Sequence, residues 1–263
     1  MVSRPDITYA VNVLCRFLDE PGPAMWTAGI RVLKYLKGTS HYGLTYRRSS
    51  EFNVSSSTTV CPLHNQSKSW KAAHASTSII NSYTDADWGG NEDNRKSTSG
   101  YLNYIGNTPV SWRSRLQPVV AQSTAEAEYI AINNTTRDIV WLRRLLSELQ
   151  VLQEGPTTIY SDNQSAIAIS RDDDLGDRSK HIDIKYHYIK DLITTNHINI
   201  QYCPTKLQIA DIMTKALGRP QFEYLRTLMG VEDLSELVER ISLEKKAKAH
   251  KLVSWNSQLE EEC

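Results

Sequence analysis

Between residues 79 and 149 the period of the apolar side chains changes once, and that change limits what this chain can become. Residues 79–88 form a short apolar and aromatic run ending at Gly89-Gly90, and 100–105 and 110–113 are two more such runs, divided by Gly106-Asn107-Thr108-Pro109. Turn residues at those places mark strand ends, so three closely spaced strands are predicted as an antiparallel meander. Then Ser123 and Glu126 form a capping box ahead of Ile139, Leu142, Leu146 and Leu149 at helical spacing. A long helix begins near Ser123.

After Gly155-Pro156 the pattern predicts a fourth strand over 157–161, helical runs over 163–170 and 183–194, a fifth strand over 197–203 and a last helix over 207–217. The order is strand, strand, strand, helix, strand, helix, strand, helix. It predicts an α/β fold whose mixed five-stranded sheet, three antiparallel strands and then two parallel, has helices on both faces.

Four acidic residues stand at telling places in this order. Asp85 and Asp162 come where strand-like runs end, and Glu128 and Asp211 lie in helix-like runs. Carboxylates far apart in sequence but placed at element ends can converge beyond the carboxyl ends of strands. An oxygen-only ligand set suits hard ions such as Mg²⁺ or Mn²⁺, and two of these about 3.5 to 4 Å apart serve in-line phosphodiester cleavage. The chemistry expected is that of a nuclease. Glu128 rather than Glu126 is the ligand of its pair, because Glu126 has the capping role and two residues along a helix points a side chain elsewhere.

Six segments in one order then match something specific: Ser82-Tyr83-Thr84-Asp85-Ala86-Asp87-Trp88, Arg95-Lys96-Ser97-Thr98-Ser99-Gly100-Tyr101, Ser123-Thr124-Ala125-Glu126-Ala127-Glu128-Tyr129, Asp162-Asn163-Gln164-Ser165-Ala166, Lys180-His181-Ile182-Asp183-Ile184-Lys185-Tyr186-His187 and Ala210-Asp211-Ile212-Met213-Thr214-Lys215. They resemble the ribonuclease H region of copia-type LTR retrotransposon Pol polyproteins, over roughly 81–230. The resemblance implies a ribonuclease H-like fold and a choice of Asp85 over Asp87. It also implies an endonuclease that hydrolyses the RNA strand of RNA/DNA hybrids with two Mg²⁺ ions, Mn²⁺ being the substitute. Asp85 and Asp211, with a share of Asp162, would hold one ion; Asp85, Glu128 and Asp162 would hold the other. Arg95, Lys96, Ser97, Asn163 and Gln164 are the candidate contacts to nucleic acid. Many cellular ribonucleases H carry a His on a loop before the last carboxylate, whereas Cys203-Pro204-Thr205-Lys206-Leu207-Gln208 has none. The alternative reading is an inactive relic of such an element, or a binding module retained by a host.

Residues 3–10 and 31–39 are similar to the end of the reverse transcriptase region in the same family. Pro5 and Gly38 fit the start and stop of two helices, a small unit over 1–48 that is poor as a domain alone. No Tyr-x-Asp-Asp occurs, so no polymerase activity is expected and the missing reverse transcriptase portion becomes an implied partner. Residues 49–78 turn to Ser, Thr, Asn and Lys without periodicity and read as a linker to the domain over 79–230, and 231–263 as a charged helical or disordered tail.

Composition bounds the rest. A chain of 263 residues with 40% hydrophobic content can bury a sizeable core, and it has neither a membrane span nor the apolar stretch of a signal peptide. Cys15, Cys61, Cys203 and Cys263 have no metal or disulfide spacing, so an intracellular, cytoplasmic and reduced compartment is expected. Residues 81–217 carry 14 Lys and Arg against 17 Asp and Glu. No broad basic surface follows, so hybrid binding is expected to be weak and salt-sensitive. His181 and His187 lack companion ligands, and Asp172-Asp173-Asp174 lacks the glycine of a calcium loop, so all five are read as packing or surface residues.

Overall fold

The computed structural model describes residues 3–46, 80–106, 108–171 and 180–243, and the side chains of these except 180–186. The expected linker, the Asp172-Asp173-Asp174 run, Cys61, Cys263 and the His181 side chain lie outside the described residues. The elements are α1 (Thr8–Cys15), α2 (Pro23–Gly38), β1 (Tyr42–Leu44), β2 (Ile80–Ala86), β3 (Thr98–Ile105), β4 (Thr108–Leu116), α3 (Thr124–Glu148), β5 (Thr157–Ser161), α4 (Gln164–Arg171), α5 (Lys180–Thr194), β6 (Ile198–Tyr202), α6 (Arg219–Leu228) and β7 (Val231–Asp233).

The five-stranded sheet has the order β4-β3-β2-β5-β6. Both β2–β3 and β3–β4 are antiparallel, whereas β2–β5 and β5–β6 are parallel. This is the ribonuclease H-like arrangement expected from the sequence. The chain builds outward from β2 in one direction, then crosses through α3 to build outward in the other. The order therefore reverses between β2 and β5, the kind of place where open α/β sheets bind ligands.

Both faces of the sheet are covered, which is why β2, β3 and β5 read as nearly continuous buried runs. On one face Tyr129, Ile132 and Ile139 of α3 pack with Ile159, Ile198 and Ile200. On the other Tyr83, Leu102, Tyr104 and Tyr160 pack with Ile209, Met213, Leu225 and Met229. Each such side chain contributes about 1.5 to 3 kcal/mol relative to exposure, so the two clusters hold α3 and the C-terminal segment at fixed heights on the sheet. The Ser123 hydroxyl accepts from the Glu126 N–H, 3.1 Å, and Glu126 accepts from the Gln122 N–H, 2.7 Å, so the expected cap is present.

One expected element is corrected. The helix predicted over 207–217 is instead two 3₁₀ turns, Thr205–Leu207 and Ile209–Met213. All five residues of the second turn are buried, and an α-helix with that burial would need cover on every side. The segment instead lies flat against β3, where a Cβ on Gly100 would come within 2.5 Å of the Met213 Cβ and 2.7 Å of Thr214 Cγ2. Glycine makes that approach possible.

The predicted N-terminal helices also have a partner. Asn12 donates to Ser114 at 3.0 Å and Arg16 to Thr98 at 3.0 Å, and β1 pairs antiparallel with β7 from Tyr42↔Asp233 to Leu44↔Val231. Neither α6 nor β7 was anticipated. Among the described residues no helix is long and apolar enough to cross a membrane.

Candidate metal centre

The parallel pairing of β2 with β5 ends at Tyr83↔Tyr160. Side chains two apart share a face of a strand, so Asp85 and Asp162 leave the two strands on the side of that tyrosine pair, just where the strands part. Glu128 comes from the second turn of α3, whose entry is fixed by the Ser123 cap. One carboxylate oxygen from each of Asp85, Glu128 and Asp162 lies within 4.8 Å of the others.

Asp211 stands apart from that trio, on the second 3₁₀ turn, and is linked to it through a cation. Lys215 Nζ donates to Asp211 Oδ1 at 2.9 Å and to Asp85 Oδ1 at 3.2 Å. The Thr214 hydroxyl donates to the other oxygen of Asp85. Neither Thr214 nor Lys215 was assigned a role from sequence. The available signal was a Lys four residues after the last carboxylate, one helical turn's reach.

The electrostatics reflect crowding. Burial, then the charges of Asp85 and Asp162, push Glu128 well above the usual carboxylate range, against a backbone hydrogen bond from Ala86. Burial raises Asp162 as well, partly offset by a hydrogen bond from Thr205. For Asp211, burial and then Asp85 outweigh Lys215 and push the carboxyl up to about 7. Burial pulls Lys215 down, but Asp85 and Asp211 together overcome it and hold the ammonium above its ordinary value. Four carboxylates thus share one ammonium. Glu128 Oε2 is buried with no hydrogen-bond partner among the described residues. An oxygen-only set with an orphaned carboxylate oxygen and surplus negative charge fits a divalent hard cation.

Asp87 is placed differently from Asp85. It accepts from the Thr98 N–H across the β2–β3 turn, and burial raises its pKa. Of the candidate nucleic-acid contacts, Arg95 is exposed with φ 56°, Lys96 is half-buried and Gln164 is exposed. Ser97 is buried and accepts from the Gly89 N–H at 3.0 Å, while Asn163 Oδ1 accepts from the Ala166 N–H at 2.9 Å and caps α4. Ser97 and Asn163 therefore hold their loops; Arg95, Lys96 and Gln164 are open to solvent. His187 is exposed.

No family model matches the chain. It is similar to the retrovirus-related Pol polyprotein from transposon TNT 1-94 of Nicotiana tabacum, with 37% identity over 229 residues, 87% of this chain and 15% of the polyprotein. The chain thus spans a small part of that relative's length. The secreted RxLR effector protein 161 of Plasmopara viticola is 39% identical over 142 residues, 54% of this chain and 82% of the effector. Among solved structures, LC11-RNase H1 in complex with RNA/DNA hybrid is similar at TM-score 0.39 and 13% identity, over 51% of this chain and 93% of that chain. The fold assignment rests on strand order and direction.

Proposed function

Because the chain belongs to the copia-type retrovirus-related Pol polyproteins of transposons, we propose that its ribonuclease H-like domain is a two-metal endonuclease hydrolysing the RNA strand of RNA/DNA hybrids. The observation that carries this reading is the convergence of Asp85, Glu128 and Asp162 within 4.8 Å where β2 and β5 part. A structural cluster would be balanced by its own donors. This one keeps a surplus of negative charge and an orphaned Glu128 oxygen.

Asp85, Glu128 and Asp162 would hold one Mg²⁺, and Asp85 and Asp211, with a share of Asp162, the other. Bound there, the ions would supply Lewis-acid polarisation of the phosphate and a water of lowered pKa. Asp85 is common to both sets, and Thr214 fixes its second oxygen. Lys215 keeps Asp85 and Asp211 together until a divalent ion competes for them. RNA would be selected through its 2′-hydroxyls across the minor groove of the hybrid. With 14 basic against 17 acidic residues over 81–217, the domain needs a further grip, which the reverse transcriptase portion of a longer polyprotein would supply.

The test is cleavage of a labelled RNA/DNA hybrid by the purified chain, with Mg²⁺ or with EDTA, beside Asp162→Asn. Cutting of the hybrid alone, dependent on Mg²⁺ and lost in the variant, is the expected result. Equal background from parent and variant at high enzyme concentration, with hybrid binding retained, would instead favour the relic or binding-module reading.

A further inference from the structure

Where β2 and β5 separate, the seam is closed by a side chain from a third segment. Gln208 is fully buried, and its Nε2 donates to the Thr84 carbonyl at 3.0 Å and, at a longer 3.5 Å, to the Tyr160 carbonyl. Its Oε1 accepts from the Ala210 N–H at 3.3 Å and so caps the 3₁₀ turn that follows. Each of these backbone groups adjoins a carboxylate: Thr84 precedes Asp85, Tyr160 stands two before Asp162, and Ala210 precedes Asp211. One amide therefore ties together the three backbone segments that present Asp85, Asp162 and Asp211.

Few side chains can do this. Two N–H donors and an acceptor on one planar group are needed, at the end of a stem long enough to span from the turn to the seam. Leu or Met would fill the space but leave the carbonyls bare, and Glu would set a carboxylate against them. The carboxylates bring like charges close together, one oxygen from each of Asp85, Glu128 and Asp162 lying within 4.8 Å of the others, so the segments bearing them tend to spread.

We propose that Gln208 is a positioning residue for the metal centre, its amide fixing the separation of the β2, β5 and 3₁₀ segments so that their carboxylates grip divalent cations at close range. The proposal rests on the metal-centre reading above. Residues that orient metal ligands typically change metal affinity by about 10- to 100-fold when replaced.

The experiment is calorimetric titration of the full chain with Mg²⁺ alone, for the parent, Gln208→Met and Thr135→Val, with melting curves in EDTA. Thr135 donates to Thr84 Oγ1 at 2.9 Å from the α3 side, so Thr135→Val removes a buried hydrogen bond to the same strand without touching the seam. Gln208→Met should weaken Mg²⁺ binding at least about tenfold while Thr135→Val stays within about threefold, at a similar loss of melting temperature. Equal affinities for the two variants would overturn the proposal, leaving Gln208 a plain core residue. Should Gln208→Met not fold, Gln208→Asn serves: it keeps the amide but shortens the stem that spans from the turn to the seam, so weakened Mg²⁺ binding supports the positioning role and parent-like binding overturns it. A parent that takes up no Mg²⁺ overturns the metal-centre reading itself, and the positioning role with it. A parent that binds and cuts beside an unaffected Gln208→Met overturns the positioning role alone.

Discussion

Two clusters of buried charge lie at opposite ends of the C-terminal segment, and they are built on opposite rules. At the first, Asp6 accepts from Arg4 Nε at 2.9 Å and Nη2 at 2.7 Å and from the Tyr35 hydroxyl at 2.6 Å. Arg226 of α6 donates to that same hydroxyl at 3.1 Å and lies 4.5 Å over the Tyr42 ring. One guanidinium thus grips the carboxylate directly and a second reaches it through the Tyr35 hydroxyl, and both carboxylate oxygens have donors. At the metal centre four carboxylates face one ammonium, and the buried Glu128 Oε2 has no donor among the described residues. The first cluster leaves no oxygen of its carboxylate unpaired, although Arg226 Nε is buried without a hydrogen-bond partner among the described residues, and it fastens the N-terminal helices to α6. The second has more carboxylates than cations, a surplus that a further cation would offset, which is what a site does and a clamp does not.

The sharpest way to break this contrast is to neutralise one acid at each place. Asp85→Asn or Asp162→Asn should lower hybrid cutting by more than about a hundredfold, since a shared ligand supplies several kcal/mol of transition-state stabilisation. In EDTA Asp162→Asn should melt at or above the parent, because it removes a repelling charge. Asp6→Asn should do the reverse, leaving the centre's chemistry intact while costing about 3 kcal/mol in chemical denaturation, the scale for a buried pair that loses one partner. If Asp162→Asn melted well below the parent in EDTA, the carboxylate would be structural and the contrast false.

A second, smaller effect is in pH. Asp211 titrates near 7 in the fold and near 4 in an unfolded chain, so the folded form holds its proton more tightly. Its contribution to stability is therefore full below pH 4 and is lost as pH rises through about 7. The metal-free protein should lose melting temperature over that window, and Mg²⁺, which binds only the ionised, folded site, should restore it at neutral pH. Differential melts of parent and Asp211→Asn measure this directly. Parallel curves from pH 4.5 to 7.5 would remove Asp211 from the crowded set.

What the sequence disclosed and what it withheld divide along the same line. Local signals were enough for the meander, for the strand Thr157–Ser161 and for the Ser123 cap of α3, because turn residues and capping chemistry act within a few positions. The trio of carboxylates was legible because strand ends and a helix start locate side chains. The segment around Asp211 was misread as a helix, because its shape is set by Gly100 and the flat face of β3, some 110 residues earlier. For the same reason β1 and β7, three residues each and 190 apart, carried no readable pattern, and Gln208 and Lys215 gained meaning only from partners on distant strands.

Lys215 gives a third, moderate test. Its side chain is 37% exposed, so the ammonium can swing into solvent when a divalent ion takes its place between Asp85 and Asp211. Lys215→Met should lower the melting temperature in EDTA, because four carboxylates lose the cation they share. It should also tighten Mg²⁺ binding on the order of tenfold, since a competing positive charge is gone. Titration of both proteins checks the sign. Weaker Mg²⁺ binding by Lys215→Met would mean that the ammonium supports the ion's site rather than contending for it.

The smallest effect is expected at Asp87, and its smallness is informative. Asp85 and Asp87 are separated by a single residue and both carry a carboxylate at the end of β2, so a diffuse acidic patch would use them interchangeably. The geometry assigns them different work: Asp85 meets Glu128 and Asp162, whereas Asp87 accepts from the Thr98 N–H and holds the turn between β2 and β3. Asn at position 87 keeps an oxygen that can accept from the same N–H, at the strength of a neutral rather than a charge-assisted bond. Asp87→Asn should therefore cost about 1 kcal/mol or less in stability and leave Mg²⁺ affinity and hybrid cutting within about threefold of the parent. Cutting assays on Asp85→Asn and Asp87→Asn in parallel decide the matter, and a loss at Asp87 as deep as that at Asp85 would move the metal centre toward the β2–β3 turn.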